Sequence, residues 1–276
     1  MTVLYFIADY LLYPIIFYIV RYRRHLVEKN LLLSFPNKTP EERRTMEKGF
    51  YHQLTYTMVE GVHGMHASRD EMSKRVVFHH VEEVAHDCLQ KGGVIFMLGH
   101  LGNWEWIAEI HHEVAPYGLV ECNVYRKQKN KFFDRLFLEA REKRGGFCTD
   151  KNQLLRTMIK QRSEGIKTTY GLVCDQKPSP ANAHYWTTFL NQDTSFLQGG
   201  EVLSKKFDYP VYYAFITRPT RGHYDIDLQL VTRTPKRTSP NEITEEFARR
   251  LEKNILAQPE IWLWSHNRWK WKRNNG

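Results

Sequence analysis

Apolar side chains spaced four residues apart mark the first well-defined helix. In TPEERRTMEKGFYHQLTYTMVEGV, Met46, Phe50, Leu54 and Met58 line one face, Thr39 stands at the N-cap, Pro40 fills the first helical position and Glu42 completes a capping box. From residue 71 the period changes repeatedly. VVFHHV reads as a strand, EEVAHDCLQK as a short helix stopped at Gly92, and GVIFML (93–98) as a strand buried on both faces, because its apolar run is unbroken. NWEWIAEIHHEVAPYG predicts a helix ending near Pro116 and Gly118. Strand LVECNVYR, helices FFDRLFLEAREKRGG and LLRTMIKQRSEG, and strand TYGLVCDQ follow. YPVYYAFITR and HYDIDLQLV predict two strands joined by a turn at TRPTRG. The last long helix is SPNEITEEFARRLEKNI, with a capping box from Ser239, Pro240 and Glu242 and a stripe of Ile243, Phe247, Leu251 and Ile255. Strand–helix alternation predicts an α/β fold, a mixed and mostly parallel sheet flanked by helices. The 276 residues suffice for one large domain or two small ones.

The N-terminus breaks this pattern. Residues 3 to 20, VLYFIADYLLYPIIFYIV, are apolar apart from Asp9 and Pro14, close to the roughly 20 residues a spanning helix needs. No basic stretch precedes them and no small-residue cleavage site follows, so a removable signal is not predicted. RYRRH comes next, as cations do on the cytoplasmic side of a membrane segment, and Tyr5, Phe6, Tyr10, Tyr13, Phe17 and Tyr18 suit an interfacial zone. The expectation is an uncleaved anchor over residues 1–24, spanning or obliquely inserted, and one cytoplasmic domain over residues 25–276. A buried core helix is the alternative reading of the same length.

A net charge of +9 favours anionic partners such as acidic proteins or lipid head groups, and no nucleic-acid-binding motif accompanies it. The four cysteines, Cys88, Cys122, Cys148 and Cys174, form no CxxC pair, which excludes a zinc knuckle or dithiol motif and favours a reducing compartment. EIHHE (109–113) aligns Glu109, His112 and Glu113 on one helix face, but a single ExxH falls short of a metal site, and none is predicted.

The chemistry concentrates in GGVIFMLGHLGNWEW. His100 stands just past the strand end, with Gly99 between, where open α/β sheets place functional groups. Gly99 and Gly102 permit a tight turn, and Asn103 and Glu105 fall in the first turn of the following helix. A carboxylate at Glu105 can hold one imidazole nitrogen while the other takes a proton from a hydroxyl. Without a GxSxG elbow, a covalent acyl-enzyme is not indicated. The same spacing also fits a satisfied strand-end histidine with Glu105 as a cap.

GHLGNWEW resembles the HxxxxE motif of the lipid A late acyltransferases, a branch of the lysophospholipid acyltransferase superfamily. Glycerolipid relatives usually carry Asp at the position of Glu105, and their FPEGTR-type block is absent here. Further blocks are similar and in order: VYRKQKN (124–130) with Arg126 and Asn130, VCDQKP (173–178) with Asp175 and Gln176, FLNQDTSFLQGG (189–200) with Asn191 in place of the family's glycine, and WLWSHNRWK (262–270). The style of NAHYWTTFLNQDT resembles the branch found in Bacteroidetes-type bacteria. The resemblance implies a glycerolipid-acyltransferase-like fold. It also implies fatty acyl transfer from acyl carrier protein or coenzyme A to a lipid A precursor hydroxyl, on the cytoplasmic face of the inner membrane. It implies no cofactor beyond the acyl donor. His100 would be the general base and Glu105 its orienting partner; Asn103, Arg126, Asn130, Asp175 and Gln176 would contact substrate or support the charged intermediate. Transfer to another membrane lipid, or a non-catalytic lipid-binding role, is the alternative. Whether Trp262, Trp264, Trp269 and Trp271 form an interfacial belt or support the core stays open, with support favoured.

Overall fold

The computed structural model describes residues 1–125, 127, 135 and 145–273. Its strands are β1 (Val76–His79), β2 (Gly93–Leu98), β3 (Val120–Tyr125), β4 (Phe147–Asp150), β5 (Thr168–Val173), β6 (Tyr185–Phe189), β7 (Gln192–Phe196), β8 (Val211–Thr220) and β9 (His223–Thr232). One sheet runs β1-β9-β8-β2-β5-β3-β4. Its neighbours pair parallel except β8 and β9, which form the hairpin expected from YPVYYAFITR and HYDIDLQLV. The predicted α/β class, with a mixed and mostly parallel sheet, is therefore the observed one. All six residues of β2 are buried, and β2 lies inside the sheet between β8 and β5. That position explains why its sequence does not alternate: helices cover both faces of a parallel sheet.

Local chemistry accounts for most boundaries. The Thr39 capping box forms as expected and opens the helix Pro40–Gly64. The helix Val81–Lys91 stops at Gly92, which takes a left-handed φ of 83°. The helix Glu242–Ala257 differs from expectation. Glu242 accepts from the Ser239 amide, but the reciprocal side-chain bond is not made. Instead the buried carboxylate of Glu201 accepts the amides of Asn241 (2.7 Å) and Thr244 (3.0 Å). A distant acid thus caps the helix, favourably placed for the helix dipole.

Residues 104–117 also depart from a regular helix. They form a 3₁₀ segment Trp104–Glu109, a short α segment Ile110–Val114 and a further 3₁₀ turn Ala115–Tyr117. Five consecutive residues, Trp106 to Ile110, are buried, so the middle of the segment is enclosed on every side and tertiary packing sets its winding there. The ribbon β6–β7 has no counterpart among the elements expected from sequence. Its turn is Leu190-Asn191, both at positive φ, a pair without the glycine that usually signals such a turn. Asn191 tolerates the left-handed conformation and donates to the Ser34 carbonyl, which explains how it replaces glycine in that block. The helix predicted in FFDRLFLEAREKRGG lies outside the described residues.

The N-terminal segment is helical from Thr2 to Ile19, with two π-helical stretches, and is apolar and long enough to be a candidate membrane anchor. One face packs on the domain through Tyr5, Ala8, Tyr13 and Phe17. Val3, Phe6, Tyr10, Leu11, Ile19 and Val20 stay exposed. Asp9, the only charged side chain in the run, is a docking point: it meets His52 at 3.0 Å, Tyr56 at 2.7 Å and Arg221 at 2.6 Å. The apolar segment is thus one-sided, with a packed edge and a greasy outer face.

Candidate active site

Parallel register builds the site. Leu98 at the end of β2 pairs with Val173 at the end of β5, and the Cys174 amide donates to the Leu98 carbonyl. Residues two past each strand end therefore stand side by side: His100 and Asp175. The imidazole Nδ1 lies 2.5 Å from Asp175 Oδ1, and the His100 amide donates to Oδ2 at 2.8 Å. The Trp262 indole N–H donates to the same Oδ2 at 2.9 Å. Three donors thus fix the carboxylate, which is 3% exposed. Gly99 makes the approach possible: a Cβ there would stand 3.3 Å from Asp175 Oδ2 and 2.6 Å from Leu251. Gly102 has φ +55°, and its Cβ would stand 2.4 Å from the Tyr224 ring, so only glycine fits the turn.

The carboxylate on Nδ1 is Asp175 rather than the expected Glu105. Glu105 sits half-buried in the first turn of the 3₁₀ segment and acts on the imidazole as a second, weaker negative charge. Burial pulls the His100 pKa down, but the Asp175 charge, the Asp175 hydrogen bond and the charge of Glu105 outweigh it. The imidazole therefore titrates above the ordinary histidine value. Burial likewise pushes Asp175 up, and the paired imidazole with the amide and indole donors pulls it down further.

Gln176 is brought to the other ring nitrogen: its Nε2 lies 3.1 Å from His100 Nε2. With Nδ1–H donated to Asp175, Nε2 carries the lone pair that accepts from this amide. Trp104 packs edge-on to the imidazole, ring centroids 4.9 Å apart. Beside it, Glu105 borders a small cleft walled by Leu98, Trp104, Ile107, Val124 and Val173.

Asn103 is placed elsewhere. It is buried, and its Nδ2 donates to Glu60 at 3.2 Å. Glu60, fully buried, also accepts from Tyr5 at 2.9 Å and Tyr224 at 2.8 Å. This network ties the N-terminal helix and the helix Pro40–Gly64 to the loop carrying His100. The Gly102 amide, a candidate oxyanion donor by position, is taken by the Ile261 carbonyl at 2.8 Å. Arg126 and Asn130 lie outside the described residues. Glu109 and His112 approach to 3.8 Å, and no three metal-binding side chains cluster among the described residues.

Glu60→Ala is expected to destabilise the protein by about 3 kcal/mol, because three buried donors lose their acceptor. Glu60→Gln, which keeps an acceptor oxygen, is expected to cost about 1 kcal/mol. Urea denaturation followed by tryptophan fluorescence checks both values.

The closing segment is legible in the sequence as a block but not as part of the site. Trp262 and Trp264 are buried, and Leu101 bridges to Trp262 while the Leu263 amide donates to the His100 carbonyl. The tryptophans therefore support the His100 loop from behind, and Trp262 reaches Asp175 itself.

A sheet of this topology, with a buried aspartate–histidine pair at its parallel strand ends, carries an acyltransferase sequence. The family model described as bacterial lipid A biosynthesis acyltransferase matches residues 11–271, and the chain belongs to that family. No individual curated protein matches it.

Proposed function

We propose that the protein moves a fatty acyl chain from an acyl thioester to a hydroxyl of a lipid A precursor, with His100 as general base. The observation that carries this reading is the His100–Asp175 pair, whose Nδ1 contact leaves Nε2 as the basic atom, facing the Gln176 amide. The acceptor hydroxyl takes the place of the Gln176 amide on Nε2, gives up its proton there, and attacks the thioester carbonyl. The tetrahedral intermediate expels the thiolate, which receives the proton back from the imidazolium. Asp175 and Glu105 stabilise the imidazolium formed in between. No enzyme nucleophile enters the sequence of bonds. The small apolar cleft beside Glu105 suits the first methylenes of the acyl chain.

The same reading puts the protein on the cytoplasmic face of the inner membrane, held by the exposed apolar face of its N-terminal helix. Its positive charge suits acyl carrier protein, an acidic donor, and phosphorylated head groups. Lipid mass spectrometry of a deletion strain tests the function. Lipid A lighter by one acyl chain is the expected result. Unchanged lipid A alongside an altered aminolipid or glycolipid would move the acceptor to that other lipid.

A further inference from the structure

Beyond Gln176 the chain gathers hydrogen-bond donors without acceptors. Arg268 is only 2% exposed. Its Nη2 donates to the Ser195 carbonyl and its guanidinium lies 4.7 Å from the Phe196 ring centroid, yet Nε and Nη1 are buried with no partner among the described residues. The indole N–H of Trp271 is buried and has no partner among the described residues either. Two ammonium groups lie on that same indole, Lys177 Nζ at 4.9 Å and Lys270 Nζ at 4.7 Å from the ring centroid. His266 joins the cluster to the catalytic edge: its Nε2 accepts the Lys177 amide at 3.4 Å, and its carbonyl accepts the Arg268 amide at 2.8 Å. Lys177 follows Gln176, the residue on His100 Nε2.

Such a cluster is costly as it stands. A buried guanidinium is normally paired with a carboxylate, because desolvation of an unpaired charge is expensive. The carboxylate acting on Arg268 is Asp175, whose oxygens are already taken by His100 and Trp262. Burial first, and then Lys270 and Arg268, hold Lys177 below its usual range. His266 is pushed down to about 4, chiefly by burial, so it is neutral. Cations, free N–H donors and an aromatic platform together describe the complement of one ligand chemistry: a compact polyoxyanion.

We propose that Lys177, Arg268, Lys270 and Trp271 form a phosphate-binding subsite beside His100, which holds a phosphate group carried by one of the two substrates. This rests on the acyl-transfer reading for its role. Two sources share the chemistry: a phosphate on the sugar of the acceptor lipid, and the phosphodiester of the phosphopantetheine arm of the donor.

The test begins without turnover. The purified full-length chain in detergent, at low salt, is titrated with inorganic phosphate by calorimetry. Saturable binding is expected, weakened about tenfold or more in the double variant Lys177→Gln, Lys270→Gln. Lys270 is exposed and Lys177 half-buried, and a matching thermal transition confirms that the variant is folded. Absence of saturable binding by the native protein, equal binding by the variant, or binding that follows ionic strength alone (an adventitious ion only) would overturn the subsite. Kinetics then locate its ligand. A KM increase confined to phosphorylated acceptor, and absent with dephosphorylated acceptor, assigns the acceptor head group. An increase for acyl-phosphopantetheine but not acyl-pantetheine assigns the donor. An unchanged KM for both contradicts the proposal. Native protein that binds phosphate but transfers no acyl chain sinks the acyl-transfer reading and leaves the anion site standing.

Discussion

His100→Ala is expected to lower kcat/KM for acyl transfer by about 10³-fold while the protein stays folded. The loss comes from the base itself. In the proposed mechanism Nε2 takes the acceptor proton, and the neighbouring imidazole does not replace it: His266 is engaged with the Lys177 amide. The fold should tolerate the change, because the His100 backbone keeps its amide bond to Asp175 and its carbonyl bond to Leu263. Steady-state transfer with purified protein, alongside a thermal melt, measures both sides. The pH profile of the native enzyme carries a second signature. The base works when neutral, and its pKa is raised, so kcat/KM should fall as pH drops through a value above the ordinary histidine value of about 6.5.

Asp175→Asn is expected to reduce kcat by about 10²- to 10⁴-fold, with little change in fold. The geometry gives the reason. Oδ2 accepts two N–H donors, the His100 amide and the Trp262 indole, while Oδ1 faces Nδ1. In asparagine the oxygen must turn toward the two donors, so the amide nitrogen faces Nδ1. Nδ1 then has to accept rather than donate, which sends the imidazole proton to Nε2, the atom that should be basic. The surviving activity should have its acid limb shifted to lower pH, because the largest influence raising the His100 pKa is gone while burial stays. Glu105→Gln should move that limb in the same direction by less, since Glu105 acts on the imidazole more weakly than Asp175. An Asp175→Asn profile that keeps both the native plateau and the native midpoint would remove Asp175 from the mechanism.

Much of this architecture is legible in the amino-acid sequence. The continuous apolar run 93–98, the capping box at Thr39 and the glycine stop at Gly92 each specify their element locally, and local rules survive folding. His100 and Asp175 are each visible as polar residues just past a strand. Their pairing is not, because it depends on β2 lying next to β5, an order that no local pattern encodes. Spacing along the chain favours Glu105, five residues from His100, whereas parallel register favours a residue 75 positions away. The partner of Asn103 is hidden for a related reason. A polar residue in a glycine loop looks available, but the partner that claims it, Glu60, sits on a helix 43 residues earlier. The ribbon β6–β7 carries no sequence signal because Leu190-Asn191 supplies left-handed backbone without a glycine. The 3₁₀ winding of 104–109 reflects enclosure by the whole core, which propensity does not record.

The most direct measurement is the mass spectrum of a lipid A precursor after incubation with acyl thioester and the purified protein. The account predicts that the native protein adds one ester-linked acyl chain to that precursor, and that His100→Ala leaves its mass unchanged. An unmodified precursor beside another membrane lipid that has gained the chain, or the same product formed by His100→Ala at the native rate, would contradict it.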